Sequence, residues 1–167
     1  MRIIIAILTS NNSELLVMKT IFDKTVREEV ISRINALDEN SAPQWGKMNG
    51  YQMLSHCVIW SEWILGTYKP EYKQAFIGLI FGKIGLRRMI KDEKPFDKNV
   101  PTSAGFKVKE THGDAEVLKQ RWISLTEDFE NYSNPDFIHD FFGKMTKEQI
   151  GILVYKHSDH HLRQFNA

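Results

Sequence analysis

Two histidines near the end of the chain stand four residues apart, the spacing that places side chains on one face of a helix. They are His157 and His161, within the sequence HSDHHLRQF that begins at His157. Side chains four apart lie one helical turn from each other. Two such imidazoles can share a divalent metal ion, as in the zinc-protease helix motif, although the general-base Glu of that motif is missing here. The spacing therefore predicts part of a metal site.

A third histidine, His56, is the candidate that would complete this site. It lies in the middle of a predicted apolar helix, where a neutral imidazole needs partners for its ring nitrogens. One interpretation is a core histidine bonded to a backbone or side-chain acceptor. The other is a metal ligand that meets His157 and His161 in the interior of a bundle. Three imidazoles with open coordination positions would suit zinc, at metal–nitrogen distances of ~2.0–2.1 Å.

Residues beside the predicted ligands receive supporting roles. We expect His160 to pack or to orient a ligand rather than to bind metal. Gln164 lies seven residues after His157, so its amide could orient a bound water or ligand, or it could be a polar residue that caps the end of the bundle. We expect Trp60 to line the core or the pocket.

Other reactive side chains receive structural interpretations. Cys57 follows His56 but points about 100° away around the helix, which indicates a small core residue. His112 and His139 lie in predicted loops and are expected to be exposed. Four basic residues form either a solvated helix face or an anion-recognising rim beside the site: Lys83, Arg87, Arg88 and Lys91.

Length and composition narrow the class of protein. A chain of 167 residues, 42% hydrophobic and 26% charged, is typical of one soluble globular domain. We expect its partner to be a small-molecule substrate. The formal net charge of +1 gives no reason to expect a nucleic-acid partner. Cys57 is the single cysteine, which excludes an intrachain disulfide and a zinc site built on several thiolates, and favours a reducing, cytoplasmic location.

The first 17 residues are interpreted as an N-terminal extension. Their apolar run, residues 3–8, is too short for a transmembrane helix and marginal for a signal peptide, so we expect no membrane partner. Met18 looks like a second start. We therefore expect a single domain over residues 18–167.

Apolar periodicity predicts four amphipathic helices and almost no strand, the pattern of an all-α four-helix bundle. Their predicted N-caps are Asp23, Asn49, Asp114 and Thr146. A long crossover separates the second and third helices. Its residues 75–90 form a glycine-interrupted helix, typical of a mobile cover or a dimer contact. Residues 91–109, which contain Pro95, Pro101 and Gly105, are expected to be extended.

A short repeat precedes the two histidine-bearing helices. The sequence GKM occurs at Gly46 and again at Gly143, each time after an aromatic residue and before a predicted cap. The two copies are either independently useful helix starts or the trace of two related helix pairs.

Four segments together resemble the DinB-like superfamily of metalloenzymes, in a branch of uncharacterised proteins that end in HHLRQF. They are WGKM from Trp45, QMLSHC from Gln52, FFGKM from Phe141 and YKHSDHHLRQF from Tyr155. The resemblance extends over nearly the whole chain from Met18 and is loose in the middle.

The resemblance implies a four-helix bundle, often a homodimer, that holds a divalent metal through three histidines. These roles fall on His56, His157 and His161, with zinc or nickel as the expected metal. Some members of the superfamily are similar to thiol S-transferases, and for this chain the resemblance then implies a low-molecular-weight thiol as co-substrate. A metal-dependent hydrolase and a non-catalytic, stress-related binding protein with structural histidines remain the alternatives.

Overall fold

The computed structural model describes residues 18–38, 41–70 and 76–167. Within them the chain is mostly helical, which confirms the all-α class. The five α-helices are α1 Lys24–Asn35, α2 Gly50–Leu65, α3 Phe76–Ile90, α4 Ala115–Asp128 and α5 Lys147–Gln164. The predicted extension, residues 1–17, and Ala75 lie outside the described residues.

Short elements connect these helices. Single 3₁₀ turns occur at Ala104–Phe106 and Phe129–Asn131, and an antiparallel hairpin joins β1 Ile138–His139 to β2 Gly143–Lys144. None of the helices in the described ranges is long and apolar enough to cross a membrane.

The two histidine-bearing helices begin with the same local structure. Asn49 Oδ1 accepts from the Gln52 amide of α2 at 2.9 Å, and Thr146 Oγ1 accepts from the Gln149 amide of α5 at 3.2 Å. In both cases the glutamine side chain accepts a hydrogen bond from the amide of the capping residue, completing a capping box. The predicted caps of α2 and α5 are therefore confirmed.

The glycines of the GKM repeat have the same backbone conformation. Gly46 has a φ of 83° and Gly143 a φ of 72°, both in the left-handed region that residues with a side chain rarely adopt. The two copies therefore share a positive φ at the glycine, although Gly143 belongs to β2 and Gly46 to a loop.

The core places α2 and α5 side by side. Helix α2 packs on α4 and contacts α5, and α1 packs on both α4 and α5. Trp122, Ile34 and Leu162 are among the fully buried side chains, and burial of each contributes about 1.5–3 kcal/mol. This packing brings the middle of α2 against the last turns of α5.

The extended part of the crossover, residues 91–109, is held against α2 by a buried side chain. Phe106, at the end of its 3₁₀ turn, is buried with its ring centroid 4.6 Å from that of Trp63 on α2. A backbone carbonyl of the crossover is thereby held beside α2.

The glycines of α3 are contact positions, not interruptions of the helix. Gly78 and Gly82 are buried one turn apart against the hairpin, and a Cβ at either would collide with the Phe141 carbonyl oxygen. Gly85 has more room, because a Cβ there would lie 3.4 Å from the nearest atom of the Phe141 ring. Close packing on the hairpin thus depends on the first two glycines.

Substitution of these glycines by alanine should separate packing from helix propensity. We expect Gly82→Ala to lower the free energy of unfolding by about 1–3 kcal/mol, because the added methyl group forces α3 off the hairpin backbone. The matched change Gly85→Ala should raise it by about 0.5–1 kcal/mol, because alanine favours the helix. Urea unfolding measures both, and equal midpoints for the two variants would contradict the packing.

Candidate metal centre

Three histidine rings meet between α2 and α5. His56 comes from α2, and His157 and His161 come from α5; each offers a ring nitrogen, and these atoms all lie within 4.8 Å of one another. Nitrogens around one zinc ion at ~2.0–2.1 Å stand roughly 3.4 Å apart, so ring movements of about 1 Å would suffice. The arrangement could hold a metal ion, and it unites the three residues proposed from the sequence.

Two of the rings are oriented by hydrogen bonds on the side away from the centre. His56 Nδ1 lies 3.0 Å from the Phe106 carbonyl oxygen, and His161 Nδ1 lies 3.0 Å from Gln164 Oε1. Because these oxygens can only accept, each Nδ1 carries the proton. The neutral rings of His56 and His161 therefore present Nε2 with its lone pair toward the centre, as a metal requires.

The third ring makes a contact inside the centre. His157 Nε2 lies 3.1 Å from His56 Nε2. Since His56 Nε2 is the acceptor, His157 Nε2 donates this hydrogen bond, and binding a metal there requires its proton to leave or to move to Nδ1. The Trp60 ring stacks on His157 at a centroid distance of 3.9 Å and fixes its plane.

Burial keeps these rings neutral. Desolvation lowers the pKa of His157 and of His161 well below the usual histidine value, and repulsion from the neighbouring imidazoles lowers both further. Desolvation also lowers the pKa of His56, although its hydrogen bond to the Phe106 carbonyl acts in the opposite direction. At neutral pH all three are in the form that binds metal.

The Gln164 side chain orients a candidate ligand. Its Oε1 accepts from His161, and its Nε2 donates to the Trp45 carbonyl oxygen at 2.8 Å. A Cβ at Gly46 would lie 2.6 Å from that Nε2, so the glycine makes room for the amide. These contacts are with a histidine ring and a backbone carbonyl, so both roles considered from the sequence, orientation of a bound water or ligand and capping of the bundle end, stay predictions.

The centre forms part of the wall of a cavity of about 750 Å³, a size suited to a small molecule. Its aromatic lining includes Trp60, Phe96, Phe106 and Phe142. His160 also lines the cavity, but its ring packs against Trp45 and Phe96, at 5.7 and 6.0 Å, and it stands outside the group of three.

The expectation that His139 is exposed was wrong. It is 8% exposed, and its Nδ1 accepts from the Phe141 and Phe142 amides at 3.1 and 3.3 Å. The β1–β2 hairpin folds this histidine inward against Trp63, at 5.0 Å between ring centroids, and it lines the cavity together with Asp140. No spacing in the sequence signals this contact, because it depends on where the hairpin packs.

The other reactive residues lie where structural roles place them. Cys57 is buried with its Sγ 3.8 Å from Met53 Sδ, and burial raises the pKa of its thiol well above the usual value, as expected for a core residue. His112 is exposed. Within the basic cluster, Arg88 and Lys91 line the cavity, whereas Lys83 and Arg87 line a separate groove beside β2.

Acidification should destabilise the metal-free fold through these histidines. Their pKa values are lowered in the folded state, so below about pH 6.5 the unfolded chain takes up protons that the folded chain does not. In the presence of a chelator, stability should be greatest above this pH and fall as the pH decreases. Urea midpoints should fall less steeply for His157→Gln than for wild type, with the exposed His112→Gln as control. Identical slopes for all three proteins would exclude this source of pH dependence.

Family assignment rests on the length of the matched region. Residues 19–167 match the model of the family described as Protein of unknown function (DUF1569). No curated protein and no solved structure gives a significant match. Because the matched region extends over nearly the whole sequence, the chain belongs to the DUF1569 family.

Proposed function

We propose that the chain is a divalent-metal-dependent enzyme that acts on a small molecule, with a thiol as co-substrate. The observation that carries the proposal is the convergence of His56, His157 and His161 within 4.8 Å at the wall of a cavity. Zinc and nickel suit imidazole ligands. The proposal includes a DinB-like four-helix arrangement of α1, α2, α4 and α5, and a cytoplasmic location.

Three protein ligands leave coordination positions free, the property that distinguishes catalytic from structural zinc sites. When bound, a divalent metal lowers the pKa of a coordinated thiol or water, so that a nucleophile forms near neutral pH. Phe106 and Gln164 would keep two of the ligand rings aimed at the metal through their hydrogen bonds to His56 and His161.

The cavity lining supports a thiol over water as the nucleophile. Trp60, Phe96 and Phe106 supply apolar ring surface around the open side of the centre. Such surface accommodates a sulfur-bearing co-substrate and excludes water from the reaction. The resemblance to the DinB-like superfamily, in which some members are similar to thiol S-transferases, points the same way.

The second candidate is a non-catalytic bundle whose histidines are structural. It is favoured by the 3.1 Å contact between His56 Nε2 and His157 Nε2, which gives each of these two nitrogens a partner without a metal. The two candidates differ in whether the purified protein retains metal.

Metal content separates these candidates directly. Protein purified without a histidine tag should contain close to one divalent ion per chain, measured by inductively coupled plasma mass spectrometry. His56→Ala and His157→Ala should each lose most of it, because two imidazoles hold the ion far more weakly than three. The control His112→Ala removes an exposed histidine and should retain wild-type content. Equal metal in all four proteins would refute the site.

Thiol consumption tests the reaction class. A thiol that opens an epoxide forms a C–S bond while a C–O bond breaks and the oxygen takes the proton, so one thiol is consumed per epoxide. We expect metal-loaded protein to accelerate the loss of free thiol, which colorimetric titration measures. Chelation or His157→Ala should abolish the acceleration. Metal-dependent hydrolysis of ester or epoxide substrates without thiol loss across an acceptor panel would instead favour the hydrolase.

A further inference from the structure

The outward face of α3 is mostly apolar over its first nine residues, with Lys83 the one charged residue among them. Six large side chains on this helix are each more than half exposed in the described part of the chain: Phe76, Ile77, Leu79, Ile80, Phe81 and Ile84. Contiguous exposed apolar surface of this kind marks an interaction site on a soluble protein. We call these six residues the α3 patch.

The fold prevents the α3 patch from turning inward. The opposite face of α3 packs through Gly78, Gly82 and Leu86, and both glycines sit too close to the Phe141 carbonyl to be exchanged for larger residues. Rotating the helix to bury the patch would bring phenylalanine and isoleucine side chains to these positions. The exposure of the α3 patch is therefore a consequence of how α3 packs on the β1–β2 hairpin.

Positive charge adjoins the α3 patch. The later turns of α3 carry exposed Lys83, Arg87 and Arg88, and the helix contains no Asp or Glu. This is a local feature, since the whole chain has a formal net charge of only +1. Helix α3 thus exposes apolar side chains along most of its length and cationic side chains from Lys83 onward.

We propose that α3 docks on an anionic lipid surface, with the α3 patch inserted and the basic residues among the headgroups. Apolar residues combined with Lys and Arg are the pattern of helices that lie in the membrane interface. Such docking is peripheral and needs no spanning helix. It departs from the expectation of no membrane partner, which rested on the shortness of the apolar run at residues 3–8.

A second copy of the chain fits this face less well than a lipid surface does. A two-fold interface brings a patch against itself, so its charges must be self-complementary. Helix α3 supplies three cations and no anion for such pairing. Anionic headgroups supply the missing charge.

The position of α3 connects docking to the cavity. Gly85, Arg88 and Met89 of the same helix line the cavity that contains the three histidines. Docking would therefore place one wall of the cavity at the lipid surface.

Vesicle flotation of the full chain tests the proposal. We expect binding to phosphatidylcholine vesicles that contain phosphatidylglycerol, and weaker binding to phosphatidylcholine alone. The double variant Ile80→Gln/Phe81→Gln should reduce binding about tenfold or more, because binding strength follows the inserted apolar area. Val117→Gln makes the same kind of change at an exposed residue of α4 and should bind like wild type.

A charge variant tests the electrostatic part. Arg87→Gln should weaken binding to the anionic vesicles about fivefold and leave binding to neutral vesicles unchanged, whereas the exposed Lys24→Gln on α1 should affect neither. Added salt should reduce the anionic preference.

Three results would overturn the proposal. The first is no binding to anionic vesicles, and the second is binding that the double variant in the α3 patch leaves intact. The third is a wild-type dimer, measured by light scattering, that becomes monomeric in the double variant while vesicles bind neither protein. That result would assign the α3 patch to a second copy of the chain.

Discussion

Helix α5 carries polar contacts on two opposite faces, and these fix its rotation about its own axis. On one face Asp159, a buried carboxylate, accepts from Arg33 Nη1 at 2.8 Å and from Arg163 Nε at 2.7 Å. A buried charge left unpaired costs several kcal/mol, so this face cannot turn away from Arg33 on α1. Asp159 stands two residues, or about 200°, from His157. The ion pair with Arg33 that holds Asp159 against α1 therefore directs His157 and His161 toward α2.

The centre between α2 and α5 reconciles two demands on a buried imidazole. Burial requires each ring to be neutral and hydrogen-bonded, while metal binding requires a free lone pair on a convergent nitrogen. The carbonyl oxygens of Phe106 and Gln164 meet both demands for His56 and His161, because each accepts a hydrogen bond from an Nδ1–H and leaves Nε2 unprotonated. His157 satisfies the first demand through His56 and would meet the second only on losing or moving a proton. Metal binding at this cluster would thus be coupled to the protonation of one ring.

The features that could be predicted from the sequence are those with a local physical cause. Helix periodicity and the caps at Asn49 and Thr146 depend on neighbours within one turn, and the predicted starts of α2 and α5 agree with the structure. The shared face of His157 and His161 follows from helix geometry alone, but their approach to His56 depends on packing across about 100 residues of chain. The burial of His139 and the seating of α3 on the hairpin depend on long-range contacts, which no local pattern encodes.

Phe106 belongs to the long segment between α3 and α4, in which one backbone carbonyl contributes to the centre while many side chains, including the Phe106 ring, line the cavity. Its backbone carbonyl orients His56, a role open to any residue that keeps the turn in place, whereas residues 94–97 and 100–103 line the cavity with side chains of varied size and charge. Replacements within those eight positions can reshape the cavity without touching a ligand ring. If the chain acts as proposed, the groups that orient the candidate metal ligands are thus largely distinct from the side chains that shape the cavity, and new specificities could evolve while the centre stays constant.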